Sequence, residues 1–351
     1  MSVRGWCPGL YDPMSSGDGL LVRVKPPGAR LTPASAAALA AASAEYGNGV
    51  IELTQRGLLQ IRGLRGETVT PFAAAMVAAG LAHADPVRER RRRIIACPPF
   101  DAALVAALEA MQEASPDWDA LPDKFAVSVN GRSGDLCICG DETGLGGDLA
   151  TTVSPIEAVT RLVAACLAFG SGRMRALIEC HGEAAIFAAA ALPTRPATHP
   201  AVPPPASLGV PFGQLSAATL AGLAALGNDL LLTPDRSVVL PGGAPLAAIA
   251  ERLGLIADPA DPRRHVAACA GAPACASASV ATRADAARWA GLAPGLHVSG
   301  CAKGCAHPGP AVVTLVGREG RYDLVRHGRA GDAPVLRGLA VADIAAILAA
   351  P

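Results

Sequence analysis

Aromatic side chains make up 3% of the 351 residues and charged ones 17%, and the 30 Lys+Arg balance the 30 Asp+Glu, so the chain has no formal net charge. Neutrality excludes the broad positive field with which proteins gather nucleic acid. With so few aromatics, the core must be built from Leu, Val, Ile and Ala. No apolar run reaches the roughly 18 residues that a spanning helix needs. The start, Met1-Ser2-Val3-Arg4-Gly5-Trp6-Cys7-Pro8-Gly9, has no apolar stretch of the signal-peptide kind. No G-x-G-x-x-G dinucleotide fingerprint follows a strand. The expectation is a soluble, cytoplasmic protein of two or three domains.

Apolar residues are plentiful at 51%, and 38 Gly, 30 Pro and ten Cys accompany them. Proline clusters between Pro193 and Pro211, with Pro196, Pro200 and Pro203-Pro204-Pro205 inside, a stretch that cannot hold a regular helix or a central strand. It divides the chain into two halves that share three motif pairs in the same order. Gly47-Asn48 leads through Leu53-Thr54 to Arg56 and the run Leu58 to Ile61, as Gly227-Asn228 leads through Leu232-Thr233 to Arg236 and Val238 to Leu240. Arg92 to Cys97 is matched by Arg264 to Cys269, and Gly131 to Leu136 by a looser echo at Gly317 to Leu324. Three collinear matches point to an ancient duplication.

Local signals agree. Thr32-Pro33 reads as an N-cap with Pro at the first helical position, the helix runs to Tyr46, and Gly47 falls where a left-handed C-terminal residue belongs. Ser216 and Gly227 bracket its counterpart. Short strands are expected at Leu20–Val24, Val50–Leu53, Leu230–Leu232 and Ser237–Leu240, with second helices near Thr70-Pro71 and Ala244. Further helices are expected at Ser154-Pro155 to Ala168, Ala278 to Ala290 and Val341 to Ala350. The repeating β-α-β-β-α unit is an α+β, ferredoxin-like half-domain.

A reducing compartment disfavours disulfides and leaves the cysteines for metal, redox chemistry or burial. Cys269 and Cys275 form C-x5-C, and after 25 residues Cys301 and Cys305 form C-x3-C. Four thiolates could hold a four-iron cubane or a zinc ion, or simply fill space as small core residues. A five-residue gap is long for a zinc knuckle, which favours the cubane. Cys137 and Cys139 alternate on one face of a strand, Cys166 and Cys180 read as core, and Cys7 and Cys97 each precede a proline. Cys97 occupies the repeat position of Cys269 but has no second thiol close in sequence. Arg56, the run Arg88-Glu89-Arg90-Arg91-Arg92-Arg93, and Lys124 could together make an anion-binding surface or simply a solvated charged face.

Thr54-Gln55-Arg56-Gly57-Leu58-Leu59-Gln60, Arg92 to Pro98, Leu121-Pro122-Asp123-Lys124-Phe125 and the two cysteine pairs together resemble the sulfite/nitrite reductase superfamily over nearly the whole chain. The N-terminal Arg4 to Met14 with Gly17 to Arg23, Thr233 to Ser237 and His297 to Pro308 are most similar to its oxygen-dependent branch, which hydroxylates a tetrapyrrole in aerobic cobalamin biosynthesis. The resemblance implies a pseudo-two-fold fold in which the duplicated half-domain is joined to a reductase-type [4Fe-4S] domain. Its expected division is a half-domain at 1–70, a cluster-free repeat at 71–192, the linker at 193–211, a second half-domain at 212–250 and the cluster-binding repeat at 251–351.

It further implies that Cys269, Cys275, Cys301 and Cys305 ligate the cluster and that Arg56, Arg92 and Lys124 face the substrate. That substrate would be precorrin-3A, a tetrapyrrole bearing many acetate and propionate groups, hydroxylated at C20 with closure of a γ-lactone. Molecular oxygen and NADH would be consumed, with a mononuclear non-haem iron activating the oxygen and a separate reductase passing on the electrons. The histidines present no sequence-local facial triad for that iron. Where the reductases carry a second lysine two residues after the first, this chain has Ala126, which suits a hydroxylase better than a multi-electron reduction. The other readings are a siroheme-dependent sulfite or nitrite reductase and a zinc-stapled or cluster-bearing binding module.

Overall fold

The computed structural model describes residues 8–198 and 205–349. Cys7, the beginning of the N-terminal motif and the centre of the proline-rich link lie outside them. The chain opens with strands β1 (Met14–Ser16), β2 (Gly19–Val24) and β3 (Arg30–Leu31), helix α1 (Pro33–Tyr46), strands β4 (Val50–Leu53) and β5 (Leu59–Leu64) and helix α2 (Gly66–Ala78). Helix α3 (Pro86–Arg91), β6 (Ile94–Ala96), α4 (Ala102–Ala114), β7 (Val127–Val129), β8 (Leu136–Cys139), β9 (Glu142–Gly144) and β10 (Leu149–Thr151) follow, then α5 (Pro155–Ala168), α6 (Met174–His181), α7 (Glu183–Ala189) and β11 (Arg195–Pro196). The second half contributes β12 (Leu208–Gly209), β13 (Gln214–Ser216), α8 (Ala217–Ala224), β14 (Leu230–Leu232), β15 (Ser237–Val239) and α9 (Leu246–Leu253). It ends with β16 (Ala267–Ala268), α10 (Thr282–Trp289), β17 (Leu296–Ser299), β18 (Ala311–Arg318), β19 (Arg321–Gly328), β20 (Leu336–Leu339) and α11 (Ile344–Ala349).

The α+β duplication is visible in the sheets. The first half-domain forms the order β1-β2-β5-β4-β13 and the second β12-β15-β14-β3, so each half lends its short strand to the other's sheet. Leu31 pairs with Leu230, and Leu215 with Ile51. Both exchanged strands follow a turn with left-handed residues, Gly28 and Ala29 in one half and Phe212 and Gly213 in the other. Both lead into a capped helix: the Thr32 hydroxyl accepts from Ser35 N at 3.2 Å and the Ser216 hydroxyl from Thr219 N at 3.0 Å. One apolar core runs from Leu10 to Leu255 through both half-domains and the third sheet, and a second, from Val266 to Leu348, belongs to the last sheet.

The remaining two sheets are also related. In one, β6, β7 and β8 are parallel and β9 turns back, and in the other β16, β17 and β18 are parallel and β19 turns back. Strands β11 and β12, at the two ends of the proline-rich link, are edge strands, where proline costs no ladder bond.

Several expectations are corrected. Cys180, expected in the core, is exposed, and the helix expected from Ala278 begins at Thr282. Gly47 is extended (φ −117°) and needs to be glycine for another reason, since a Cβ there would lie 2.6 Å from the Arg62 carbonyl oxygen. Helix α2 begins at Gly66 with Pro71 inside it, four residues before the expected start. The third motif pair does not superpose: Gly131–Leu136 leads from β7 into β8, whereas Gly317–Leu324 spans the β18–β19 turn, one connection later.

Candidate active site

A cavity of about 290 Å³ opens between the first half-domain and the β6 sheet. Arg23, Lys25, Arg56, Arg90, Arg92 and Arg93 line it, facing Asp12, Glu89, Glu109 and Asp123. Alternation at the end of β2 explains two of these cations: Val24 is fully buried in the core, so Arg23 and Lys25 share the opposite face. Arg23 Nε is buried with no hydrogen-bond partner. The Lys25 ammonium donates to the Glu89 carbonyl at 2.9 Å. Desolvation pushes the Lys25 pKa down to about 8, with Arg92, Arg93 and Arg23 acting the same way and Glu89 opposing them.

Of the three cations expected at the site, two share this cavity. Arg56 sits in the β4–β5 turn and donates from Nη2 to the Lys124 carbonyl at 2.9 Å. Arg92 is 4% exposed and is committed to carboxylates, lying 2.8 Å from Glu89, 3.6 Å from Glu113 and 3.8 Å from Glu109. Its Nη2 also donates to the Lys25 carbonyl at 2.7 Å, so it braces the wall that carries the lysine. Burial holds the Glu109 carboxyl above its ordinary range against the opposing pull of Arg92. Lys124 is exposed and does not line the cavity, while Ala126 does. Arg23 and Lys25 join the expected cations, and their spacing around a core valine is the sequence signal that marks them.

The duplication supplies a comparison within the molecule. The equivalent space in the second half measures about 10 Å³, room for little more than a water. By distance from the exchanged-strand turn Gly209 stands where Lys25 does, and by the match of Arg92–Cys97 with Arg264–Cys269 Arg264 stands where Arg92 does. Arg264 fills the space, donating from Nη2 to the carbonyls of Ser207 and Ile256 at 2.6 Å each. The β14–β15 turn also corrects the expected pairing of Arg56 with Arg236. Gly57 and Arg236 share a left-handed conformation, φ 65° and 63°, so Arg56 corresponds to the acid Asp235.

The four expected thiols emerge at one end of the last sheet. Parallel pairing of Ala268 with Val298 brings the ends of β16 and β17 together, and Cys269 and Cys301 lie just beyond them. Gly300 N donates to Cys269 Sγ at 3.1 Å. A Cβ at Gly300 would lie 2.6 Å from the Ala278 Cβ, so the loops close around one another only with glycine. Cys305 is the most exposed of the four, yet desolvation of its sulfur, together with the charges of Cys269, Cys301 and Cys275, holds its thiol above the ordinary value.

A tetrahedral zinc with Zn–S bonds of about 2.3 Å needs its sulfurs roughly 3.8 Å apart. Among the described residues no three His, Cys, Asp or Glu side chains converge closely enough to hold a metal ion. The four thiols share one loop cluster, where Cys269, Cys301 and Cys275 act on Cys305 and an amide N–H is directed at the Cys269 sulfur, so these are the residues that could hold a cluster. Nor, among the described residues, do three such side chains gather as ligands for a mononuclear iron.

The two half-domains grip both thiol-bearing loops by their carbonyls. Ala274 O, beside Cys275, accepts from Arg62 Nη2 at 2.6 Å, Ser16 Oγ at 2.8 Å and Gly17 N at 3.1 Å. Ala306 O, beside Cys305, accepts from Gln55 Nε2 at 2.6 Å and Arg236 Nη2 at 2.8 Å. Arg62 is itself held by Asp18 at 2.8 Å and Glu52 at 3.4 Å. In the mirrored position of the first half, burial first and then Asp235, Cys139 and Cys137 push the Cys97 thiol up to about 11, so it stays protonated and inert at neutral pH. His297 is fully buried, neither ring nitrogen has a partner, and burial with His307 and Arg236 lowers its pKa to about 4.

Comparison with known proteins gives this architecture a class and then a family. Residues 12–79 match the nitrite/sulfite reductase ferredoxin-like half domain. The structure of the NirA protein of Mycobacterium tuberculosis shares the fold with a TM-score of 0.72 and 19% identity, over 93% of this chain and 79% of that one. The molecule is thus a nitrite/sulfite-reductase-like protein of duplicated design. A precorrin-3B synthase of Sinorhizobium sp is 33% identical over 387 aligned positions, covering 94% of this chain and 84% of the relative. The chain belongs to the precorrin-3B synthase family and is an enzyme. Among its described residues no helix is long and apolar enough to cross a membrane.

Proposed function

We propose that this enzyme converts precorrin-3A to precorrin-3B in aerobic cobalamin biosynthesis, hydroxylating C20 and closing a γ-lactone from the ring-A acetate. The balanced reaction consumes precorrin-3A, O2, NADH and a proton and yields precorrin-3B, water and NAD⁺. One observation carries the reading: of two spaces related by duplication, only that lined by Arg23, Lys25 and Arg56 is open. About 290 Å³ accepts one edge of a macrocycle rather than the whole of it, and that edge carries the carboxylates a guanidinium fork binds well.

In this reading Arg56, Arg23 and Lys25 bind acetate and propionate groups, Arg92 fixes the wall behind them, and Lys124 meets carboxylates at the rim. The unpartnered Arg23 Nε supports the assignment, since a buried donor without an acceptor is what an anionic ligand would satisfy. Cys269, Cys275, Cys301 and Cys305 ligate a [4Fe-4S] cluster, which when bound supplies single electrons. With no dinucleotide fingerprint in the chain, NADH delivers its electrons through a separate reductase. Ala126 lines the cavity where a proton-donating lysine would serve a reductase.

The absorption spectrum of anaerobically purified protein tests this reading. A broad brown shoulder without a sharp band is expected. A Soret band with a low-energy companion would replace it with the siroheme reductase reading, and a colourless zinc protein with a binding module.

A further inference from the structure

The two half-domains build the same turn from different residues. Between β4 and β5, Gly57 N donates to Thr54 O at 3.1 Å and Thr54 N to Leu58 O at 2.9 Å. Between β14 and β15, Arg236 N donates to Thr233 O at 3.2 Å and Thr233 N to Ser237 O at 3.0 Å. The left-handed position is glycine in the first turn, which suffers no strain there, and arginine in the second, which does. A strained residue persists where its surroundings hold it, and such residues gather at functional sites.

The Arg236 side chain leaves its own half-domain sheet for the loop that bears Cys301 and Cys305. Its Nη2 donates at 2.8 Å to the Ala306 carbonyl, the one directly after Cys305, which Gln55 bonds from the other half. It also acts electrostatically on His297, whose ring lies 5.7 Å from that of His307 and approaches Gly304 of the same loop. Arg236 therefore contributes a fixed donor to the carbonyl after Cys305 and a positive charge felt at His297, while the loop's own cation, Lys303, acts on the Cys305 thiol.

We propose that Arg236 is a positioning residue for the cluster: it fixes the loop around Cys305 and sets a cation beside the cluster's exposed edge, raising its reduction potential and slowing its loss. The inference rests on the four-thiolate reading above. A nearby positive charge favours the more negative, reduced state of a cluster, so removing it lowers the potential. Loss of a charge-assisted hydrogen bond corresponds to a rate or equilibrium change of about ten-fold or more.

The test compares anaerobically purified full-length wild type, Arg236→Gly and Arg236→Lys for iron and sulfide content, electron paramagnetic resonance of the reduced cluster, midpoint potential and rate of iron loss to a chelator. Arg236→Gly, which restores the residue found at the equivalent position, is expected to melt near the wild-type temperature, lose iron about ten-fold faster and show a lower potential, with Arg236→Lys recovering part of both. An Arg236→Gly protein with wild-type potential and wild-type iron loss would overturn the proposal. So would one whose melting temperature collapses while Arg236→Lys restores melting but not the potential, the signature of a purely structural residue. Wild-type protein devoid of iron and sulfide would instead remove the four-thiolate reading itself.

Discussion

Lys25 offers the sharpest quantitative test of the cation-lined cavity. Its pKa of about 8 in the fold against about 10.4 in an unfolded chain means that keeping it charged costs the folded state on the order of 3 kcal/mol. The cost is complete below about pH 8; between about 8 and 10.4 the unfolded chain holds a proton the folded one lacks, so stability at this site rises with pH through that window. A carboxylate arriving beside Lys25 reverses the shift, because it favours the ammonium form. Substrate binding then takes up a proton near pH 8 to 9, and above pH 8 the affinity falls by up to about ten-fold per pH unit. Anaerobic titration of the enzyme with precorrin-3A from pH 7 to 9.5, where no turnover occurs, reads this directly. Lys25→Met should bind roughly ten- to a hundred-fold more weakly at pH 7, as expected for loss of a charged hydrogen bond, and its pH dependence should flatten. In urea the same variant should be more stable than wild type at pH 7. Wild-type affinity that is constant from pH 7 to 9.5, or a Lys25→Met variant with an unchanged slope, would refute the reasoning.

Arg92→Met should lower stability by about 3 to 5 kcal/mol at neutral pH, because it leaves Glu89 and Glu109 buried without their cation. Burial already raises the Glu109 carboxyl and Arg92 is the cation that opposes it, so without Arg92 that carboxyl rises further and the variant loses stability as pH rises and recovers towards pH 4; urea unfolding at pH 5 and pH 8 that gave equal deficits would contradict this. Cys305→Ser should purify with less iron and sulfide than wild type, whereas a full complement measured by iron and sulfide assay would remove Cys305 from the ligand set.

Much of the fold was legible because strong local signals agreed with it. Thr32-Pro33 and Ser216 are caps with a hydroxyl to donate to and a helix to start, and the run Leu20 to Val24 alternates cleanly. The exchange of β3 and β13 left no such trace: strands of two or three residues after a turn have no periodicity to read, and only pairing in space shows which sheet they join. Gly47 was read as a helix terminator, yet its requirement is the approach of the Arg62 carbonyl, a tertiary fact. Arg236 looked like the partner of Arg56 by spacing alone, and the backbone angle shared with Gly57 moved the match by one residue.

The site divided in the same way. The cysteine spacing pointed to two neighbouring loops, and parallel strands β16 and β17 do end side by side just before Cys269 and Cys301, while Arg56 lines a cavity with Arg92. The sequence could not show that Arg92 is saturated by carboxylates, or that Lys25, one residue beyond a buried valine, faces the open space. Neutral composition concealed the cavity, since its cations are balanced partly by Asp12, Glu89, Glu109 and Asp123 in its own walls and otherwise by acids elsewhere on the chain.

The central claim is most directly tested by incubating the enzyme with precorrin-3A, a reducing system and isotopically labelled dioxygen, and weighing the tetrapyrrole by mass spectrometry. The account predicts a product heavier by one oxygen atom, with that atom carrying the label. A product that gains no oxygen, or gains it from water instead, would contradict it.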